Sequence, residues 1–216
     1  MIQIEFFHDA VCGWCYVLSP RLRKMAAKYP VKVIHRAFVL QRNDEEMVAR
    51  FGSMELAKQE ILQHWQSCKS FADEPESINI EGMRRAGFNY PNGYLAALYA
   101  KAVEHIAGQD AHWDFFDAVQ KVHLYHNQNI AEAAVLDVVV QKLGLPLESI
   151  HAILHSADNA NALEVDRARA ADFVIKSIPT LLINGRNLIS QSLSLTQLEH
   201  LVVTELALAS KQEVIS

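Results

Sequence analysis

The chain has 216 residues, half of them hydrophobic and 21% charged, with a net charge of −5 and a pI near 6.0. That is enough chain to bury a core, and with Lys and Arg scattered rather than clustered it gives no footing to nucleic acid. Three cysteines exclude a disulfide-stapled scaffold, leave at least one thiol unpaired and point to a reducing compartment.

Ile2, Ile4 and Phe6 alternate with Gln3, Glu5 and Phe7, which predicts a strand over about residues 2–8. No charged n-region, long apolar h-region or cleavage site is seen there, so a full gene product would be cytoplasmic; a mature form with its leader removed would read the same. No apolar run approaches the roughly 20 residues that span a bilayer, so no membrane partner is expected. After His8 to Val11 come Cys12 and Cys15, and from Gly13 to about Lys28 the apolar residues Val17, Leu18, Leu22, Met25 and Ala26 recur with helical spacing. Pro20 should kink or restart that helix. Val31 to Val39 reads as a second strand, parallel to the first through a right-handed crossover, which puts the cysteines at the carboxyl end of the first strand.

Beyond Asn43 the pattern is helical for more than 100 residues, with no convincing strand. Asn79, Asn92, Asn129 and Pro146 each open an amphipathic stretch, and Gly87, Gly108 and Gly144 each close one. Asn129 with Glu132, and Ser194 with Gln197, have capping-box spacing. Residues 71–79, FADEPESIN, read as a flexible loop. A helix over about 161–175 leads to Ser177-Ile178-Pro179-Thr180, then two short strands joined at Asn184-Gly185, and a last helix from Ser194 to about Ala209. The order is βαβ, a helical block, then αββα.

Two thiols separated by Gly13 and Trp14 can close a disulfide where the backbone turns into a helix. The unpaired N–H groups and positive dipole end of that helix favour a thiolate at Cys12. Redox exchange then needs Cys12 as nucleophile and Cys15, one turn on, as the resolving thiol. A zinc site is the alternative; it needs two more ligands, and only Cys68 and scattered histidines offer them.

The CxxC after the first strand, the Ile178-Pro179-Thr180 before a hairpin and the helical block between them resemble the DsbA family, specifically its cytoplasmic FrnE-like branch. The resemblance covers essentially the whole chain. It implies an α/β thioredoxin-like fold with an inserted all-helical domain: residues 1–43 and 160–216 form the thioredoxin-like domain, and 44–159 the insertion. It further implies a cis Ile178–Pro179 bond against the disulfide, with Pro179 positioning substrate, the backbone of Ile178 pairing with an extended substrate segment, and Gly13, Trp14 and Thr180 lining the contact. Gly13 stands where the family usually has proline. The acid that thioredoxin-like proteins often bury six residues before the first cysteine is Phe6 here, with Glu5 the nearest.

Trp14 adds no positive charge between the thiols, so a less oxidising couple than a strong periplasmic oxidant is expected. His8 and Asp9 are either tuners of the Cys12 pKa or a solvated loop pair. Cys68 reads as a half-buried bystander, and His123/His126 and His151/His155 as surface or capping residues rather than a metal pair, so no metal is expected. Trp113, Phe115 and Phe116 read as core of the helical block. The expected function is a cytoplasmic thiol–disulfide oxidoreductase or isomerase exchanging disulfides through CGWC. Its partners are a disulfide- or dithiol-containing protein or small thiol and a recycling redox partner; no cofactor is needed beyond the Cys12–Cys15 couple, with glutathione a candidate reductant. The rivals are a glutathione-dependent kappa-class transferase or 2-hydroxychromene-2-carboxylate isomerase, which carry serine at the Cys12 position, and a non-catalytic peptide-binding or chaperone-like module.

Overall fold

The structure is a computed structural model describing residues 1–215. Strand β1 (Ile2–His8) leads through helix α1 (Gly13–Lys28) to β2 (Val31–Ala37), which pairs with it in parallel, Ile2 opposite Val31 and His8 opposite Ala37. Six helices follow: α2 (Asp44–Phe51), α3 (Met54–Phe71), α4 (Ile80–Arg85), α5 (Tyr94–Leu124), α6 (Ala133–Lys142) and α7 (Leu147–Leu154). Then come α8 (Ala157–Asp172), the hairpin β3 (Thr180–Ile183) and β4 (Asn187–Ile189), and α9 (Leu195–Ile215). The sheet order is β2-β1-β3-β4, with β3 antiparallel to β1 and β4 to β3. The βαβ start, the strandless helical stretch and the αββα end are as the sequence predicts.

Local chemistry explains most element ends. Asn43, Ser53 and Ser156 cap α2, α3 and α8 with side-chain oxygens that accept from the third residue on. Ser156 therefore starts α8 at Ala157, earlier than residue 161, and Val174, at φ 53°, stops the chain from continuing it to 175. The Ser194–Gln197 box forms reciprocally, Ser194 N donating to Gln197 Oε1 at 2.8 Å and Gln197 N to Ser194 Oγ at 3.2 Å. The Asn129–Glu132 pair instead closes on itself, side chain to side chain at 2.9 Å, so α6 begins only at Ala133. Gly108 does not end its helix: at φ 86° it breaks α5 for one residue and the helix resumes. Likewise α1 runs through Pro20 without restarting. Asn184 and Gly185, at φ 51° and 66°, make the hairpin turn, and Arg186 N closes it on Ile183 O at 3.1 Å. The 71–79 segment folds into a 3-10 turn at Pro75–Ser77, anchored by Arg21, which donates to Phe71 O and Asp73 Oδ1, each at 2.5 Å.

β1 is covered on both faces, so its alternation is lost and only Gln3 is exposed within it. Glu5 is buried there because Arg36 and Arg169 reach it, at 2.8 and 2.6 Å, and together hold its carboxyl below the usual carboxylate range against the opposing effect of burial. The sheet core joins Ile4, Phe6, Leu18, Leu22, Leu181 and Val202; a second core gathers α3 to α8 around Trp65, Tyr99 and Val119. The aromatic cluster on α5 divides between them. Phe115 faces the helical core, whereas Trp113 and Phe116 pack into the sheet core, because α5 lies across β2 and its opposite faces meet different layers.

Candidate functional site

Cys12 is the N-cap of α1, in extended backbone at φ −84° and ψ 110°. Its N donates to Asp9 O at 3.1 Å, and its own carbonyl accepts from Tyr16 N at 3.2 Å and from Gln120 Nε2 at 3.0 Å. Its Sγ accepts from Cys15 N at 3.4 Å, so the thiol caps the first turn of α1. Cys12 is 8% exposed and Cys15 fully buried; burial first, then the neighbouring Cys12, pushes the Cys15 thiol well above its ordinary range.

The second half of the site arrives from the other end of the chain. Ile178–Pro179 is cis, and the Cys12 thiol donates to Ile178 O at 3.9 Å across 166 residues. Pro179 is buried, Ile178 half-buried, and Thr180 fully buried with its hydroxyl bonded to Ser177 O and Ser190 Oγ at 2.7 and 2.8 Å. The Thr180 side chain thus faces inward rather than toward a docked segment; among these three residues Ile178 is the one with exposed surface. Trp14 is half-buried, its ring 5.5 Å from that of Phe71 on α3.

Gly13 has a structural reason that the sequence did not show. A Cβ placed there would meet Cys68 Sγ at 3.0 Å and Cys68 Cβ at 3.4 Å. Cys68 is therefore no half-buried bystander: at 1% exposure it packs directly against Gly13 in the first turn of α1, and burial pushes its thiol up. Three cysteines, all free, converge on one helix start.

The loop before Cys12 is held from below. Tyr90 OH donates to Val11 O at 2.9 Å and accepts from Trp65 Nε1 at 3.2 Å, with His123 Nε2 2.9 Å away. Asp9 is buried, its carboxylate accepting from Leu40 N at 2.8 Å and Val11 N at 3.3 Å; burial pushes its carboxyl up to about 6 against those bonds. His8 is buried too, in a cluster with His35 and His112, and burial holds all three imidazoles below their ordinary range. His8 and Asp9 are therefore not a solvated pair, because β1 ends inside the protein under α5. Of the expected histidine pairs, His123 is buried and His126 exposed, and neither pair belongs to the convergent cluster. Tyr90, Gln120, His35 and His112 carried no sequence signal, lying far along the chain from the residues they serve.

Burial pushes His123 down to about 3. An unfolded chain protonates the same ring near about 6.5. Between those values the unfolded state holds a proton that the folded state does not, so this residue's contribution to stability is complete above pH 6.5 and is lost as pH falls, by about 1.4 kcal/mol per pH unit. His123→Gln is expected to flatten the stability-versus-pH curve by one proton between about pH 6 and 4, read by urea unfolding; an unchanged slope contradicts the assignment.

Compared with known proteins, the model of the DSBA-like thioredoxin domain matches residues 3–203. The chain belongs to that family. Among curated relatives of this DSBA-like protein, the ClpXP adapter protein SpxH of Bacillus licheniformis is 26% identical over 182 residues, 83% of this chain and 57% of that protein. SpxH of Bacillus subtilis is 25% identical over 184 residues, with the same two shares. The chain thus spans a little over half the length of the curated relatives it matches. Among solved structures, the cytosolic disulfide reductase DsbM from Pseudomonas aeruginosa superposes with a TM-score of 0.77 at 18% identity, covering 95% of this chain and 99% of that one. That likeness shows a shared fold. No described helix is long and apolar enough to cross a membrane.

Proposed function

We propose that this DSBA-like protein is a cytoplasmic thiol–disulfide oxidoreductase in which Cys12 attacks, Cys15 resolves and Pro179 positions the substrate through Ile178, the residue beside it that faces outward. One observation carries the reading: Cys12 Sγ lies at a helix start, 3.4 Å from Cys15 N and 3.9 Å from the carbonyl before the cis proline. In the reducing direction the Cys12 thiolate attacks one sulfur of a substrate disulfide. The substrate S–S bond breaks, a Cys12–substrate disulfide forms, and the departing thiolate takes up a proton. Cys15 is held protonated until then, in part by Cys12 itself. Capping Cys12 as a disulfide removes its charge, which eases deprotonation of Cys15. The Cys15 thiolate then attacks Cys12 Sγ, forming the Cys12–Cys15 bond and releasing the second substrate thiol. Two electrons have passed to the substrate, and an external thiol such as glutathione, or a reducing protein partner, returns them.

Trp14 in place of a cationic residue and the fold shared with a protein named a cytosolic disulfide reductase support the reductive direction. With Cys15→Ser, resolution is blocked, and incubation with oxidised insulin or a disulfide peptide is expected to accumulate a Cys12 mixed disulfide, read by non-reducing mass spectrometry. A variant that forms none overturns the assignment. A Cys12–Cys15 potential above about −220 mV, more oxidising than the cytosolic glutathione poise, would instead make the protein an oxidase. A second reading rests on the SpxH match: the same apolar surface around Trp14 and Ile178 binds a protein partner without turnover. Under that reading Cys15→Ser traps nothing, while partner binding survives Cys12→Ser.

A further inference from the structure

Under the active-site loop, three histidines meet from three elements: His8 at the end of β1, His35 in β2 and His112 on α5. One nitrogen of each ring lies within 4.8 Å of the other two, and all three residues are at most 3% exposed. His8 Nε2 and His35 Nδ1 are 3.0 Å apart, and the His35 and His112 rings stack with centroids 4.9 Å apart. The neighbours are chiefly aromatic: Phe116 is 4.0 Å and Phe6 4.8 Å from the His8 ring, and Trp113 is 4.9 Å from that of His35.

Buried polar atoms in native proteins are almost always partnered. Here His35 Nε2 and His112 Nε2 are buried with no hydrogen-bond partner, two such atoms in one cluster. The opposite edge of His112 is fixed, since its Nδ1 lies 2.7 Å from Glu104 Oε2, and that carboxylate is also held by Lys101 at 2.7 Å. A carboxylate on Nδ1 leaves the Nε2 lone pair free to ligate, the arrangement that outer-shell acids impose on metal-bound histidines.

We propose that His8, His35 and His112 form a binding site for one zinc-like divalent transition metal ion, with Glu104 as the outer-shell carboxylate. An all-imidazole donor set selects zinc-type ions over magnesium or calcium, which require oxygen. Zinc–nitrogen bonds of about 2.0–2.1 Å in tetrahedral geometry place donor atoms roughly 3.3 Å apart. One nitrogen of each ring lies within 4.8 Å of the other two, so closing the widest pair by about 1.5 Å forms the site. Lys101 does not oppose the ion as a free cation, because it is paired with both Glu104 and Asp166. Three ligands fix one face of the ion and leave the fourth position to water or a small anion. Because the ligands come from two strands and α5, the ion would tie the helix to the sheet, one residue before Asp9, whose carbonyl holds Cys12 N.

Thiols are zinc ligands in their own right, so the test uses the Cys12→Ser/Cys15→Ser/Cys68→Ser chain, refolded with Zn²⁺ or Co²⁺ and dialysed. The proposal expects one metal per chain by elemental analysis, a Co²⁺ spectrum with ligand-field bands and no thiolate charge-transfer band, and a Zn²⁺-dependent rise in melting temperature. His112→Phe should abolish uptake. Glu104→Gln keeps the ring packing, and is expected to weaken affinity about 10-fold, so it is decisive if His112→Phe does not fold. Absence of stoichiometric metal in the cysteine-free chain overturns the site, as does uptake that neither His112→Phe nor Glu104→Gln alters.

Discussion

Cys12→Ser is expected to lower the rate of insulin-disulfide reduction by at least roughly 1000-fold, equivalent to about 4 kcal/mol of barrier, while the protein stays folded. The two outcomes separate because Cys12 does two jobs. As nucleophile it must present a thiolate; a serine hydroxyl at neutral pH is neither ionised nor a competent attacker of sulfur. As N-cap, its Sγ receives Cys15 N at 3.4 Å, and serine is among the best residues for that position. The melting temperature should therefore change little or rise. Activity within 10-fold of wild type would show that another thiol carries the exchange, and Cys68, packed against Gly13, would be the first to examine.

Gly93→Ala is expected to be the most damaging single-methyl addition, at about 3 kcal/mol or more of stability. The new Cβ would lie 1.8 Å from Asp9 Oδ1 and 2.6 Å from Asp9 Cγ. The carboxylate has nowhere to swing: it is buried, and Leu40 N and Val11 N hold its two oxygens. The start of α5 must move instead. Because Asp9 O also receives Cys12 N, the shift should reach the thiol and slow exchange as well. Denaturant unfolding of Gly93→Ala, Asp9→Ala and the double variant checks the mechanism. The clash predicts a double variant well short of the summed losses, with a coupling of about 1–3 kcal/mol; additive losses would mean that the two residues act separately.

These contacts separate what is written locally from what is not. The turn into α1, the Asn79 cap of α4, the Ser194–Gln197 box of α9 and the Asn184-Gly185 hairpin depend on residues a few positions apart, so spacing alone reports them. Misjudged ends followed the same boundary: Asn129 and Glu132 spend their side chains on each other, and Gly108 interrupts α5 without ending it, choices made by surroundings that spacing does not contain.

By itself, the sequence determined the reaction chemistry on offer and the order of elements: a CxxC at a helix start, a βαβ unit, a long helical stretch and a hairpin behind Ile178-Pro179. Only the tertiary structure decided how that chemistry is framed. It brought Ile178 to Cys12, put Cys68 under Gly13, paired Glu5 with two arginines, buried His8 and Asp9, and gathered His35 and His112 beside them. The reason is physical. A cap or a turn is a bond between near neighbours and leaves its signature in spacing, whereas the floor of this site is made where α3 and α5 close over the end of β1. Which side chains meet there is set by packing two layers together.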